Sequence, residues 1–333
     1  MEVLRVGILG TGSMAETMAR SMAKMKNIEA AAVASRSPEK AAAFAEKYGI
    51  PKAYGTYEEL YRDPEIDLIY VVSPHSHHAL YAGQCIDHKK PCIVEKSFTA
   101  NAKEAEKLLS KAEEAGVFIT EAIWTRYMPM VKMIRDTAFS GKIGKICSVT
   151  ANLGYAVSGR ERVIESSLCG GALLDVGIYA LTFLSLLLGD EITDLKATAE
   201  LSDKGSDLNN HVTMTIKNGE DEVLCSFFSS ITCPTDRAGI IYGTDGYIVV
   251  ENVNNFGSIG IYDASHRLTE RIEAPAQDET GYVYQFESCR KALSEGKLSC
   301  PEMPHEETVK IMEIMDRIRA LIGVEYPNDR VSE

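Results

Sequence analysis

The sequence predicts an α/β protein with two domains. The first is a Rossmann domain, a doubly wound parallel sheet, and the second is an α+β domain with a large, mainly antiparallel open-faced sheet. Three observations support this: a glycine-rich turn follows the first strand pattern, strands and helices alternate to about residue 120, and strands joined by short turns dominate after about residue 145. We predict a dinucleotide-binding domain over 1–122 and a substrate-binding and oligomerisation domain over 123–333.

The first strand, predicted over residues 4–9, turns through two spaced glycines into a helix. Gly10 permits a tight turn, Gly12 lets the backbone approach a pyrophosphate, and Ala15 is small enough for the helix to lie on the strand. The phosphates would meet unpaired amides at the positive end of the helix dipole. An ordinary glycine-rich turn is the alternative. The residues predicted to bind a dinucleotide here are Gly10, Thr11, Gly12, Ser13 and Met14.

The remaining elements follow from apolar periodicity and helix-end signals. Further strands are predicted over 30–34, 68–72, 92–94 and 117–120, and then over 146–151, 194–201, 211–216, 222–228, 239–242, 247–250 and 258–261. Helices begin at Pro38 after Ser37 and at capping boxes headed by Thr56 and Asn101, and Gly49 and Gly116 end helices. Later helices are predicted over 171–188, 283–294 and 306–321. A sheet with helices on one side predicts a homodimer or homotetramer formed through its other face.

The residues after the second strand bear on which dinucleotide binds. Ser35, Arg36 and Ser37 stand where an acidic residue would read a free ribose 2′-hydroxyl. A guanidinium pairs with a 2′-phosphate, so the sequence favours NADP and leaves NAD possible. The alternative is that Arg36 is a solvated loop residue and Ser37 only caps the helix beginning at Pro38.

Composition excludes several other classes of function. The net charge of −13 disfavours nucleic acid and anionic membranes as partners. We find no signal peptide and expect no segment of membrane-spanning length, so a cytoplasmic location is expected.

The eight cysteines lack a CxxC pair and are expected to be reduced and mostly buried. His75, His77 and His78 form an HxHH cluster, but no carboxylate or thiol stands nearby in sequence, so no metal site is expected.

Polar residues follow three strands of the parallel sheet, where ligands bind in such folds. The first group follows Val72, the second follows Val94, and the third follows Thr120. The predicted cofactor-binding residues in these groups are Ser73, Pro74, His75, His78, Glu95, Lys96, Trp124 and Arg126.

Several of these motifs together resemble the Gfo/Idh/MocA oxidoreductases over essentially the whole chain. The motifs are the glycine turn, Glu95-Lys96-Ser97, and Asp175-Val176-Gly177-Ile178-Tyr179 preceded by Gly170-Gly171. The nine residues 121–129 are most similar to the branch that contains dimeric dihydrodiol dehydrogenase and NADP-dependent D-xylose dehydrogenase.

The resemblance implies roles for individual residues. Lys96 matches a Glu-Lys-Pro signature whose lysine lies between nicotinamide and substrate, although Ser97 replaces the proline. Asp175 and Tyr179 match a segment on a substrate-domain helix, and His78 matches a loop histidine near the nicotinamide. Without the resemblance, Glu95-Lys96 would be interpreted as a surface pair and Tyr179 as a packing residue.

Alcohol oxidation requires removal of the hydroxyl proton as hydride passes to nicotinamide C4. We expect Tyr179 to exchange this proton and Lys96 to polarise the substrate oxygen, with the reversed roles left open. Asp175 would orient Lys96 or a substrate hydroxyl, and Trp124 and Arg126 would shape the cofactor and substrate walls.

The predicted function is an NADP-dependent oxidoreductase acting on a secondary alcohol or hemiacetal of a sugar, polyol or trans-dihydrodiol. A non-catalytic NAD(P)-binding redox sensor on the same fold is the alternative, since fold does not prove activity. A methyltransferase would need an acidic residue where Ser35 and Arg36 stand.

Overall fold

The computed structural model describes residues 2–275 and 281–330. In chain order, its strands are β1 (Leu4–Leu9), β2 (Ile28–Ala34), β3 (Lys52–Tyr54), β4 (Leu68–Val71), β5 (Cys92–Glu95), β6 (Ile119–Ala122), β7 (Ile146–Gly154), β8 (Ile192–Leu201), β9 (Asp207–Asn218), β10 (Asp221–Ser230), β11 (Gly239–Gly243), β12 (Gly246–Val250), β13 (Ser258–Asp263) and β14 (Leu268–Glu273). The α-helices are α1 (Ser13–Met22), α2 (Pro38–Tyr48), α3 (Tyr57–Arg62), α4 (His78–Asp87), α5 (Ala102–Ala115), α6 (Met130–Ala138), α7 (Glu161–Ile164), α8 (Ile178–Leu188), α9 (Val283–Ser294) and α10 (His305–Ile322).

The chain divides into two compact units, 1–127 with 279–309 and 128–278 with 310–333. The prediction placed everything after residue 122 in the C-terminal domain, whereas 279–309 return to the first unit. The reason is burial of α9 there, where Phe286 packs edge-on against Tyr70, with ring centroids 5.8 Å apart. Gln285 on the same helix contacts the Met18 sulfur.

The first unit contains six parallel strands in the order β3-β2-β1-β4-β5-β6. This is the doubly wound order that places a ligand crevice between β1 and β4. The structure therefore confirms the predicted Rossmann sheet. β3 was not predicted, because three residues at a sheet edge give no measurable periodicity.

The helix-start signals in this unit are confirmed. The side chains of Ser37, Thr56 and Asn101 each accept a hydrogen bond from a backbone N–H in the first turn of α2, α3 and α5. Gly49 and Gly116 end α2 and α5 in the left-handed conformation, as predicted.

The second unit contains eight strands in the order β14-β13-β12-β11-β7-β10-β9-β8. All neighbours are antiparallel except β7 and β10, which run parallel. α8 packs against β7, β9 and β10 on one face, which confirms the predicted, mainly antiparallel sheet. β14 was not predicted because its side chains are mostly exposed and show little apolar alternation.

By length and composition, the expectation that no segment reaches membrane-spanning length is wrong in this unit. The helical stretch Ser166–Leu188 has a mean hydropathy of 1.9 and is long enough to cross a membrane. In the folded chain 94% of its apolar window is buried, which is also the behaviour of a core helix in a soluble protein.

Candidate active site

The glycine turn after β1 has the stereochemistry that the sequence predicts. Gly10 has φ +120°, and a Cβ there would lie 2.4 Å from the Val72 carbonyl oxygen, so only glycine fits. Gly12 is the N-cap of α1, forms no side-chain cap and would meet no atom within 4 Å of an added Cβ. Ala15, in the first turn of α1, is fully buried. The backbone at Gly12 is therefore open to the approach of a ligand at the start of α1, whose first residues are Ser13 and Met14.

A cavity of about 500 Å³ adjoins this turn. It is lined by Thr11, Gly12, Glu16, Lys40, Ala43, Phe44 and Lys47. Lys47 is paired with Glu16 at 2.9 Å, whereas Lys40 forms no ion pair with any residue in 2–275 or 281–330. Sequence reasoning missed Lys40, although its place four residues after Arg36, in the first turn of α2, is a usable signal.

The connection from β2 to α2 carries the predicted ribose-reading residues. Ser35 is buried, and its hydroxyl accepts a hydrogen bond from the Ser37 amide at 3.3 Å. Arg36 is exposed and hydrogen-bonds the Tyr57 hydroxyl. Its guanidinium has no carboxylate partner within the described part of the chain.

The loop after β4 is tied to the segment after β5 by His78. Its Nε2 lies 2.8 Å from the Ser73 carbonyl oxygen and its Nδ1 lies 2.9 Å from the Ser97 carbonyl oxygen. Complete burial lowers the pKa of His78 to about 4, so the ring is neutral at pH 7 and donates to one of the two carbonyls. Pro74 leads into the short turn His75–His77.

The other two histidines of this cluster have aromatic neighbours. His75 is buried with its ring edge-on to His78, at a centroid distance of 5.6 Å, and His77 stacks on Tyr81. Among residues 2–275 and 281–330, no three His, Cys, Asp or Glu side chains are grouped as a metal site requires.

The segment after β5 places Lys96 between buried groups. Glu95 is 6% exposed and accepts a hydrogen bond from the Tyr70 hydroxyl. Lys96 is half-buried, and the Lys96–Ser97 peptide bond is cis. The next amide, that of Phe98, donates to Glu121 Oε1 at 3.1 Å.

Glu121 was not among the predicted site residues. It is 1% exposed at the end of β6, in register with Val94. Burial raises the pKa of Glu121 to about 8, a rise that Glu95 reinforces and that Arg126 and Lys96 oppose. The sequence signal that could have identified Glu121 is a carboxyl group at the end of a buried strand, beside the strand that leads to Lys96.

Trp124 and Arg126 follow β6. The Trp124 side chain is buried, with its ring 4.2 Å from that of Tyr282. Arg126 Nη1 pairs with Glu307 Oε1 at 2.7 Å, and its Nε donates to the Glu302 carbonyl at 3.0 Å. The Arg126 guanidinium thus holds the turn after β6 to the start of α10.

The second unit holds the other two predicted catalytic residues in one helical segment. A π-helical turn, Leu173–Gly177, carries Asp175 and leads directly into α8, which carries Tyr179. Both side chains are less than 10% exposed. Asp175 Oδ1 pairs with Arg162 Nη1 at 3.0 Å, a partner that sequence reasoning missed.

Comparisons with known proteins agree with this architecture. Residues 4–122 match the family model described as an oxidoreductase family with an NAD-binding Rossmann fold, and residues 131–249 match the GFO/IDH/MocA C-terminal domain. The chain is 31% identical to trans-1,2-dihydrobenzene-1,2-diol dehydrogenase of Danio rerio, over 98% of this chain and 99% of that protein.

Two solved structures share the fold. KijD10, a 3-ketoreductase from Actinomadura kijaniata in complex with NADP and TDP-benzene, is 22% identical, has a TM-score of 0.87 and covers 96% of this chain and 98% of its own. Aldose-aldose oxidoreductase from Caulobacter crescentus, complexed with glycerol, is 19% identical, has a TM-score of 0.84 and covers 96% of this chain and 97% of its own.

The motifs, the two sheets and these relatives lead to one assignment. The chain belongs to the Gfo/Idh/MocA family of oxidoreductases and is an NAD(P)-dependent dehydrogenase.

Proposed function

We propose that this protein is an NADP-dependent dehydrogenase that acts on a secondary alcohol or hemiacetal of a sugar, polyol or trans-dihydrodiol. The observation that carries the cofactor choice is that Arg36, directly after β2, and Lys40, in the first turn of α2, have no carboxylate partner in the described residues. Two cations that form no ion pair with a carboxylate of the described residues favour a 2′-phosphate over a free 2′-hydroxyl.

The substrate class rests on two supports. The Danio rerio relative is named for a trans-diol, and the Caulobacter crescentus structure is of an aldose oxidoreductase. Lys96, Asp175 and Tyr179 supply a cation, a carboxylate and a phenol, which are groups that bind neighbouring hydroxyls.

The proposed proton transfer uses this chain's own residues. Bound NADP supplies the hydride acceptor. The Tyr179 hydroxyl exchanges the proton of the substrate hydroxyl, while the Lys96 ammonium polarises the same oxygen. Asp175, held by Arg162 at 3.0 Å, orients a second substrate hydroxyl or Lys96.

The test is the nicotinamide absorbance change with NADP or NAD against a panel of aldoses, inositols and trans-diols. We expect turnover with NADP, and a fall in kcat of about 10²- to 10⁴-fold in Lys96→Met and in Tyr179→Phe, as for loss of a group that acts on the reacting proton. Lys103→Met, at an exposed lysine of α5, is the matched control and should keep the parent's kcat.

Other outcomes are equally informative. Parent-like turnover in Lys96→Met overturns the assignment of Lys96, and an unchanged pH profile of kcat in Tyr179→Phe transfers proton exchange to Lys96. Tight NADP binding with no turnover on any member of the panel would favour the redox sensor.

We also propose that the protein is a homodimer or homotetramer formed through the outer face of the second unit's sheet. The support is that several large apolar side chains on this sheet are exposed, including Leu224 at 65% and Tyr242 at 39%. Tyr247 and Tyr262 stack on adjacent strands with ring centroids 4.8 Å apart.

A further inference from the structure

The helical segment that carries Asp175 and Tyr179 begins against a buried carboxylate. Asp207, the first residue of β9, is completely buried, and its Oδ2 accepts a hydrogen bond from the Leu173 amide at 2.8 Å. A Cβ on Gly171, which has φ +137°, would lie 2.1 Å from Asp207 Oδ1. The glycine is therefore required by the close approach of Asp207 to the start of the π-helical turn.

A chain of buried hydrogen bonds holds Asp207 in place. Asn210 Nδ2 donates to Asp207 Oδ2 at 2.7 Å, and the Ser229 hydroxyl donates to Asn210 Oδ1 at 2.8 Å. Both residues are at most 1% exposed. Ser229 Oγ also lies 2.9 Å from the position of a Cβ on Gly177. The chain thus contacts the π-helical turn at both ends, at Leu173 and at Gly177.

Burying a carboxylate costs free energy unless hydrogen bonds or charges compensate it. Burial raises the pKa of Asp207, while hydrogen bonds from Asn210 and from the Leu173 amide, and the charge of Arg319, favour its ionised form. The carboxyl group also lies at the helix N-terminus, where the dipole favours its ionised form. The two hydrogen bonds that Asp207 Oδ2 accepts, from the Leu173 amide and from Asn210, therefore fix the start of this turn relative to β9.

We propose that Asp207, Asn210 and Ser229 are positioning residues for the reaction. They fix the position, relative to β9 and β10, of the turn that carries Asp175 and leads into Tyr179. This inference rests on the proposed function, because Tyr179 must meet a substrate hydroxyl within hydrogen-bond distance. A displacement of about 1 Å at such a residue costs roughly 10²-fold in rate.

The experiment compares Asp207→Ala, Asp207→Asn and Asn209→Ala in the full chain. An asparagine oxygen at 207 still accepts from the Leu173 amide, so we expect kcat within about 3-fold of the parent, whereas Asp207→Ala should lower kcat by about 10²-fold. Neither should change the KM or the dissociation constant for NADP by more than about 3-fold, because the cofactor residues lie in the other unit.

Asn209→Ala is the matched control, since Asn209 is also hydrogen-bonded, to Ser230 at 2.5 Å and Thr232 at 2.8 Å, but does not touch the turn. Its kcat should equal the parent's. Equal losses of kcat in Asp207→Ala and Asn209→Ala, or equal losses in Asp207→Ala and Asp207→Asn, would overturn the proposal. If Asp207→Ala does not fold, Ser229→Ala takes its place, with an expected loss of about 3- to 10-fold in kcat.

Hydrogen exchange followed by mass spectrometry provides a readout that needs no turnover. Amides of residues 173–179 should exchange at least about 10-fold faster in Asp207→Ala than in Asn209→Ala, because the hydrogen bond that anchors the turn is lost. If the parent shows no turnover but residues 173–179 exchange faster in Asp207→Ala, the hydrogen-bond network is supported and the proposed function is refuted. Unchanged exchange and unchanged kcat, in a parent that does turn over, refute the network alone.

Discussion

Buried ionisable side chains surround the segment that carries Lys96. Glu95 and Glu121 are 6% and 1% exposed, and His78 is completely buried. His78 joins the loop after β4 to the Ser97 carbonyl, and Glu121 accepts from the Phe98 amide. The backbone that follows Lys96 is therefore fixed by side chains that lie far from it in sequence.

Glu121 makes the stability of the protein depend on pH. Burial raises its pKa from 4.5 to about 8, so between these values the folded chain holds a proton that the unfolded chain has released. The free energy of unfolding then falls as pH rises, by up to about 1.4 kcal/mol per pH unit from this group. Glu121→Gln should remove that slope between pH 5 and 8, measured by urea unfolding at each pH.

Glu106→Gln is the control for this prediction, since Glu106 is an exposed glutamate of α5. It should leave the parent's pH dependence unchanged. Identical slopes in the parent and in Glu121→Gln would show that the buried carboxyl is already ionised at pH 5.

At the level of secondary-structure elements, the helix boundaries match the predicted ones where a capping residue or a glycine marks the end of a helix. α2, α3 and α5 begin at the predicted N-caps, and α9 spans the predicted residues 283–294. The helix predicted over 171–188 instead contains a π-helical turn, Leu173–Gly177. Periodicity cannot show that turn, because its geometry follows from the close approach of Asp207 and Ser229 to glycine positions.

The β2–α2 connection yields a prediction about the cofactor. Arg36→Ala and Lys40→Ala should each weaken NADP binding by about 10- to 100-fold, the value of a charged hydrogen bond, and leave NAD binding unchanged. Lys47→Ala is the matched control, because Lys47 lines the same cavity but is paired with Glu16 at 2.9 Å. Dissociation constants for the reduced cofactors, NADPH and NADH, from titrations of dihydronicotinamide fluorescence test this prediction. Equal weakening of NADP and NAD binding would contradict a 2′-phosphate contact.

At the scale of the whole molecule, the outer face of the eight-stranded sheet predicts self-association. Sedimentation velocity should give two or four times the chain mass of 36.5 kDa. Leu224→Glu should raise the dissociation constant by at least about 100-fold, since a charge would be buried in the interface. Leu321→Glu, at a 52% exposed leucine of α10, should have no effect. A monomeric parent would refute the proposed assembly.

The two sheet types, the glycine turn and most helix starts could be predicted from the sequence, because strand alternation, helical periodicity, capping and glycine stereochemistry act over a few neighbouring residues. The sequence also supplied the motifs of Lys96, Asp175 and Tyr179.

Which distant residues meet is visible only in the folded chain. The return of residues 279–309 to the first unit, the hydrogen bond from the Phe98 amide to Glu121 and the hydrogen bond from the Leu173 amide to Asp207 join segments separated by 23 residues or more. Such contacts follow from the packing of whole sheets and helices, which patterns over a few neighbouring residues do not predict.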